Sequence, residues 1–166
     1  MDLPHATGLS VHMTTSLSIA ELQASGGRVI GTSSWHDVTQ ERILAFADAT
    51  EDWNPIHVDP AAAARTPTGT VIAHGLFTLA LGPKFFYEIL EVTGTSLQLN
   101  YGYDKVRWLL PVPVGSRVRM TMELIDGEPV DQGIKFRTRE TFEIEGKDKP
   151  ACVAEHLFTC YYEKDA

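Results

Sequence analysis

Residues 75–90, GLFTLALGPKFFYEIL, constrain the fold more than any other stretch, because they read as a helix that is apolar almost all round. A helix on a protein surface keeps a polar face, and one without it must be covered on every side. Something in the remainder of the 166 residues therefore has to surround this segment. Pro83 offers no N–H to the carbonyl of Leu79, so the helix is expected to kink or divide near Gly82.

The chain after residue 95 supplies the cover. Leu97, Leu99, Tyr101 and Tyr103 share one face of a period-two pattern, with Gln98 and Asn100 on the other. Val118, Met120, Met122 and Leu124 oppose Arg119, Thr121 and Glu123. Ile134, Phe136, Thr138, Phe142 and Ile144 alternate mostly with Lys135, Arg137, Arg139 and Glu143. A last strand is expected over residues 151–162. The turns carry Asp126-Gly127, Gln132-Gly133 and Gly146-Lys147, which is hairpin punctuation. Strands with one polar face make an antiparallel sheet with one side covered. The class is α+β, a sheet wrapped around a central helix.

Upstream, residues 14–27 contain a short helix-like piece, SLSIAELQ, ended by Gly26-Gly27. Residues 29–35 read as a strand. Thr39 caps a helix running to about Ala49, with Ile43, Leu44, Phe46 and Ala47 on its apolar side. Asp59-Pro60 and the alanines after it read as N-cap, first-turn proline and short helix.

Between these elements lies the polar stretch that carries the chemistry, residues 47–75. Asp52 and His57 are five apart, a spacing that does not share a helix face. Pro55 pushes Asn54 toward an extended conformation and favours a loop. A bent loop turns a carboxylate and an imidazole toward one water. Taken singly, Asp52 is a solvated turn former and His57 a surface or satisfied buried histidine. Together with Asn54-Pro55 and the later His74-Gly75 they read as a catalytic pair. His74 is read as a cap or packing residue, and Asp59 as a cap.

The string Asp52-Trp53-Asn54-Pro55-Ile56-His57-Val58-Asp59, with Ile72-Ala73-His74-Gly75 after it, resembles the hydratase motif of the MaoC-like family. A second match, Asn100-Tyr101-Gly102 into Asp104-Lys105-Val106-Arg107 and on through Pro111 to Arg117, is similar to the downstream half of such domains. The resemblance spans roughly residues 38–161. It implies a single hot-dog domain and the activity of an (R)-specific enoyl-CoA hydratase, or in reverse a 3-hydroxyacyl-thioester dehydratase. By resemblance, Asp52 and His57 jointly hold and deprotonate the water for syn addition. Gly75 N–H takes the thioester carbonyl, and Asn54 orients the loop beside it in the substrate-binding set.

The same resemblance implies an acyl-CoA or acyl-carrier-protein thioester as substrate, coenzyme A being part of it, with no separate cofactor. It also implies a homodimer. Lys105, Arg107 and Arg117 are the candidates for coenzyme A phosphates, and solvated strand-end charges are the alternative. Phe85, Phe86 and Tyr87 either line an acyl pocket or pack the core. Two rival functions stay open: a hot-dog thioesterase, and a non-catalytic acyl-thioester-binding relative of the nodulation-protein kind. One departure matters. The family usually carries glycine just before the aspartate, and here Glu51 stands there. If that position needs φ > 0, glutamate is strained; otherwise its charge sits beside Asp52.

Composition narrows the classes. A net charge of −8 argues against a nucleic-acid surface. No apolar run approaches the roughly 20 residues of a membrane span. The first dozen residues make a poor signal peptide; residues 1–13 are expected to be a tail, and 14–166 one domain. Cys152 and Cys160 lie on one strand about 26 Å apart, too far to bridge, which reads as free thiols in a cytoplasmic protein. The histidines show no zinc spacing. Neither a dinucleotide-binding glycine pattern nor a serine-hydrolase elbow is present.

Overall fold

The computed structural model describes residues 14–163; the tail expected over residues 1–13 lies outside them. Three alternating segments become the long strands β6 (Arg117–Val130), β7 (Gly133–Ile144) and β8 (Cys152–Tyr162). With β5 (Thr95–Trp108), β2 (Arg28–Thr32) and the short β3 (His36–Asp37) they form one antiparallel sheet, ordered β2-β6-β7-β8-β5, with β3 also on β6. The faces obey the alternation: Val118, Met120, Met122, Leu124, Phe136 and Phe142 are fully buried. Cys152 and Cys160 are buried and free, as expected, and burial pushes both thiols up to about 11.

Against that inner face lies the apolar run. It divides, as Pro83 requires, into α5 (Gly75–Ala80) and α6 (Gly82–Ile89), joined at Leu81. Phe85 packs at a tilt on Phe142 of β7 and Phe86 edge-on against Phe158 of β8, which seats the helix pair on the middle of the sheet.

Other local signals hold. Thr39 accepts from Arg42 N–H and caps α2 (Gln40–Thr50). Asp59 accepts from Ala61 and Ala62 N–H to cap α4 (Pro60–Ala63). The helix expected within residues 14–27 is shorter than read. Thr15–Ser18 is a strand, β1, and only Ile19–Gln23 is helical, α1, with a Ser18–Glu21 capping box. The partner of β1 is β4 (Leu90–Thr93), parallel to it and more than 70 residues away, a pairing no local pattern announces.

The face reading of β5 needs correction. Leu97 and Leu99 are nearly half exposed and Tyr101 more so, while Gln98 turns inward and donates to Cys160 Sγ at 3.6 Å. An irregularity between Asn100 and Gly102 shifts the register, so Tyr103 comes to the inside instead of sharing the outer face.

Candidate active site

The site is assembled where α2, a single helical turn and the start of α5 converge. α2 ends on Glu51, whose φ of 59° and ψ of 24° place it in the left-handed region. The strained branch of the expectation is therefore the one realised: a glutamate stands at a C-cap that favours glycine. That turn throws Asp52 away from the helix. Asp52 Oδ1 accepts from Asn54 N–H at 3.3 Å, which closes a small side-chain turn.

Asn54 has the extended ψ of 125° that Pro55 imposes. The residues after it are helical, however, and not the loop expected. Pro55–Val58 form one helical turn, α3, because Pro55 suits the first position and Asn54 Oδ1 caps Ile56 N–H. Asn54 Oδ1 is used by that cap, which holds α3, and α3 holds His57; the Asn54 amide nitrogen has no part in the cap.

His57 is buried, and its Nδ1 lies 2.7 Å from the carbonyl oxygen of Ile72. A carbonyl only accepts, so Nδ1 carries the proton and Nε2 keeps the lone pair. Burial holds the imidazole below the ordinary histidine range. It outweighs the raising effects of the Ile72 bond and the Asp52 charge, and the His74 charge acts with it. His57 is thus neutral at pH 7 and equipped to take a proton.

His74 does more than the sequence suggested. Its ring stacks on His57, centroids 3.9 Å apart, with Phe46 on another side. Its Nε2 donates to the backbone oxygen of Asp52 at 3.0 Å and stands 4.0 Å from Asp52 Oδ2. A carboxylate oxygen of Asp52 and one ring nitrogen of each histidine lie within 4.8 Å of one another. The signal for His74 was present in the sequence as its place beside Gly75; its contacts required the fold. The three donors are close enough to hold a divalent cation, although His57 Nδ1 and His74 Nε2 already bond carbonyls. The remaining imidazole lone pairs are His57 Nε2 and the buried, unpartnered Nδ1 of His74.

Beside these groups is a cleft of about 270 Å³ walled by His57, Ile72, Gly75, Thr78, Trp108 and Val112. Gly75 is the first residue of α5, so its N–H has no acceptor within the helix. A Cβ there would come within 2.7 Å of the Trp108 indole nitrogen. The glycine is thus required by a close neighbour in the chain itself.

The basic candidates separate. Lys105 pairs with Glu155 at 2.9 Å, and Arg117 with Glu145 at 3.0 Å and Asp37 at 3.4 Å. Arg107 has no carboxylate partner among the described residues; its guanidinium donates to the Val106 carbonyl at 2.7 Å. Phe85 and Phe86 are core, and Tyr87 is exposed.

Residues 21–145 match the MaoC-like domain. The chain belongs to the MaoC-like family. Among curated relatives, the MaoC-like chain is 49% identical over 146 residues to 3-hydroxyacyl-thioester dehydratase Z of Mycobacterium tuberculosis, covering 87% of this chain and 97% of that one. It is 40% identical over 141 residues to nodulation protein N of Rhizobium meliloti, covering 83% and 88%. Among solved structures it is similar to the unliganded R-hydratase PhaJ1 of Pseudomonas aeruginosa, with a TM-score of 0.68, 25% identity and coverage of 87% and 86%. The hot-dog fold expected from the motif is thereby established.

Proposed function

We propose that this MaoC-like protein is an (R)-specific enoyl-thioester hydratase, working in reverse as a 3-hydroxyacyl-thioester dehydratase, with Asp52 and His57 as its acid–base pair. The observation that carries the reading is the His57 tautomer: Nδ1–H is committed to Ile72, so Nε2 keeps its lone pair as a base, on a ring that has a nitrogen within 4.8 Å of an Asp52 carboxylate oxygen.

A water held between Asp52 and His57 Nε2 adds its oxygen to C3 of the enoyl thioester as His57 takes one proton. The electron pair of the C2–C3 double bond moves toward the thioester oxygen, where Gly75 N–H receives the developing charge. The imidazolium then returns the proton to C2 from the same face, so the water's hydroxyl and hydrogen add syn. His57 ends neutral, ready for the next cycle. General acid–base help of this kind contributes about 10²–10⁴-fold, and one oxyanion donor about 10²–10³-fold. No metal or redox group enters these steps.

Arg107, which has no carboxylate partner among the described residues and follows Val106 on the strand that brings Trp108 to the cleft, is the group assigned to the phosphates of the thioester carrier. β5 is an edge strand and exposes Leu97, Leu99 and Tyr101, an apolar strip that a second copy would cover by pairing edge to edge. A homodimer is therefore part of the reading. Light scattering should give twice the chain mass, and Leu99→Lys with Tyr101→Lys should halve it; a monomeric wild type refutes the dimer. Placement in the cytoplasm is part of the same proposal.

The deciding assay is loss of the enoyl-thioester absorbance of crotonyl-CoA, with the product then identified by a stereospecific dehydrogenase. An (R)-3-hydroxyacyl product is expected. Release of free thiol instead would make the protein a thioesterase, and no change with short or longer enoyl-CoAs would make it a binding protein.

A further inference from the structure

His74 stands at a position that helix formation alone would fill differently. It is the N-cap of α5, where serine, threonine, aspartate and asparagine are favoured because their side chains accept from the first helical N–H groups. The His74 side chain makes no such bond. It lies buried instead, with Phe46 of α2 against it and the His57 ring stacked on it. Its Nδ1 has no partner among the described residues, a cost that buried polar atoms normally avoid. What the ring does make is the bond from Nε2–H to the Asp52 carbonyl oxygen, at 3.0 Å.

The two members of the acid–base pair are held very differently. His57 is fixed twice without His74: its Nδ1–H bonds the Ile72 carbonyl, and its own carbonyl accepts from Gln40 Nε2 at 3.2 Å. The backbone on either side of His74 is also fixed without the ring. Ala73 N–H donates to the Val112 carbonyl at 2.8 Å, and the His74 carbonyl accepts from Thr78 N–H at 3.3 Å. Asp52 has less. It lies past the end of α2, beyond a left-handed residue, and its side chain is 55% exposed. Its carboxylate accepts from Asn54 N–H inside the same turn, and its carbonyl accepts from His74. The His74 bond ties that turn to the start of α5, and so to Gly75.

We propose that His74 is a positioning residue of the reaction: its Nε2–H holds Asp52 where the carboxylate meets the water that His57 deprotonates. The ring is not itself an acid or base here. A carbonyl only accepts, so the Nε2 proton is committed to Asp52, and Nδ1 is buried away from solvent. Because Asp52 and His57 act on the water and not on the thioester carrier, losing this hold lowers kcat and leaves KM nearly unchanged. The role rests on the hydratase reading above.

The test compares two substitutions in the full-length protein with crotonyl-CoA. Phenylalanine keeps a ring against Phe46 and His57 but lacks the donor. Glutamine lacks the ring, and its amide nitrogen is as many bonds from the backbone as Nε2. His74→Phe should lower kcat by about 10–100-fold with KM within about threefold, since a misplacement of about 1 Å can cost about 10²-fold. His74→Gln should be about fivefold faster than His74→Phe, the net worth of one hydrogen bond. On Asp52→Asn, His74→Phe should cost only about threefold more, because the group it positions is already gone. Pure packing by His74 predicts the reverse order of the two variants and a full second loss on Asp52→Asn. Either result overturns the proposal, as does a loss confined to KM. Heteronuclear NMR of the wild type reads the donor without any variant: His74 Nε2 should carry the proton, and a bare Nε2 overturns the proposal. A wild type that turns over no enoyl-CoA removes the hydratase reading and this role together, whereas turnover with the reverse order removes this role alone.

Discussion

Glu51→Gly isolates the one departure from the family motif. With φ at 59° and ψ at 24°, Glu51 sits where an L-residue loses about 1–2 kcal/mol against the right-handed region. Its exposed side chain makes no ion pair or hydrogen bond among the described residues that would be lost. Glycine removes the strain but loses more backbone freedom on folding, about 0.5–1 kcal/mol. The net gain is roughly 0.5–1 kcal/mol, or about 1–4 °C in Tm for a domain of this size. Because glutamate already adopts the conformation glycine would take, Asp52 should not move, and kcat/KM with crotonyl-CoA should stay within about threefold. Glu51→Ala should show no such stabilisation, since alanine keeps the strain. Thermal denaturation and the absorbance assay decide it together. An unchanged or lowered Tm refutes the strain argument, and a loss of activity beyond about tenfold shows that the Glu51 carboxylate takes part in the chemistry.

Asp52→Asn and His57→Ala should each lower kcat by about 10²–10⁴-fold without unfolding the protein, checked by circular dichroism; activity within tenfold of wild type for Asp52→Asn would contradict its role. Burial lowers the His57 pKa beneath the ordinary 6.5, so kcat/KM should stay level as pH falls through 6.5 and drop only below the folded value. The same shift means the unfolded chain binds more protons in that window, so stability present above pH 6.5 is lost as pH falls, with His36 adding in the same direction; a profile centred at 6.5 or above would refute it. Gly75→Ala forces the Trp108 indole to move and sets a methyl beside the proposed carbonyl site. It should lower kcat more than it raises KM, and a pure KM effect would argue against a transition-state role for that N–H. Dialysis against EDTA should leave turnover unchanged, whereas added zinc should inhibit by occupying Asp52, His57 and His74; activity lost to EDTA and restored by metal would reverse that assignment.

Much of this molecule was legible before the fold was known, and for one physical reason: the legible parts rest on local terms. The split at Leu81 comes from a missing N–H at Pro83, the start of α2 from the Thr39 hydroxyl, and the inner faces of β6 and β7 from two-residue periodicity. Asp52 and His57 were visible because their residue types and spacing form a motif. Other features depended on partners far along the chain. The parallel pair of β1 and β4 joins segments with no shared pattern, and the irregularity near Gly102 reverses the faces of β5 where alternation alone would continue them. Two-residue periodicity carries Glu140 to the inner face between Thr138 and Phe142, but only the packed helix set it against the bare backbone of Gly82. The choice of His57 as base needed the Ile72 carbonyl, and the grip of His74 on Asp52 needed a turn that a strained Glu51 provides. Residue types decided which groups were available to react. Tertiary contacts decided which nitrogen holds the proton, because a tautomer is set by whatever acceptor the fold brings to the ring.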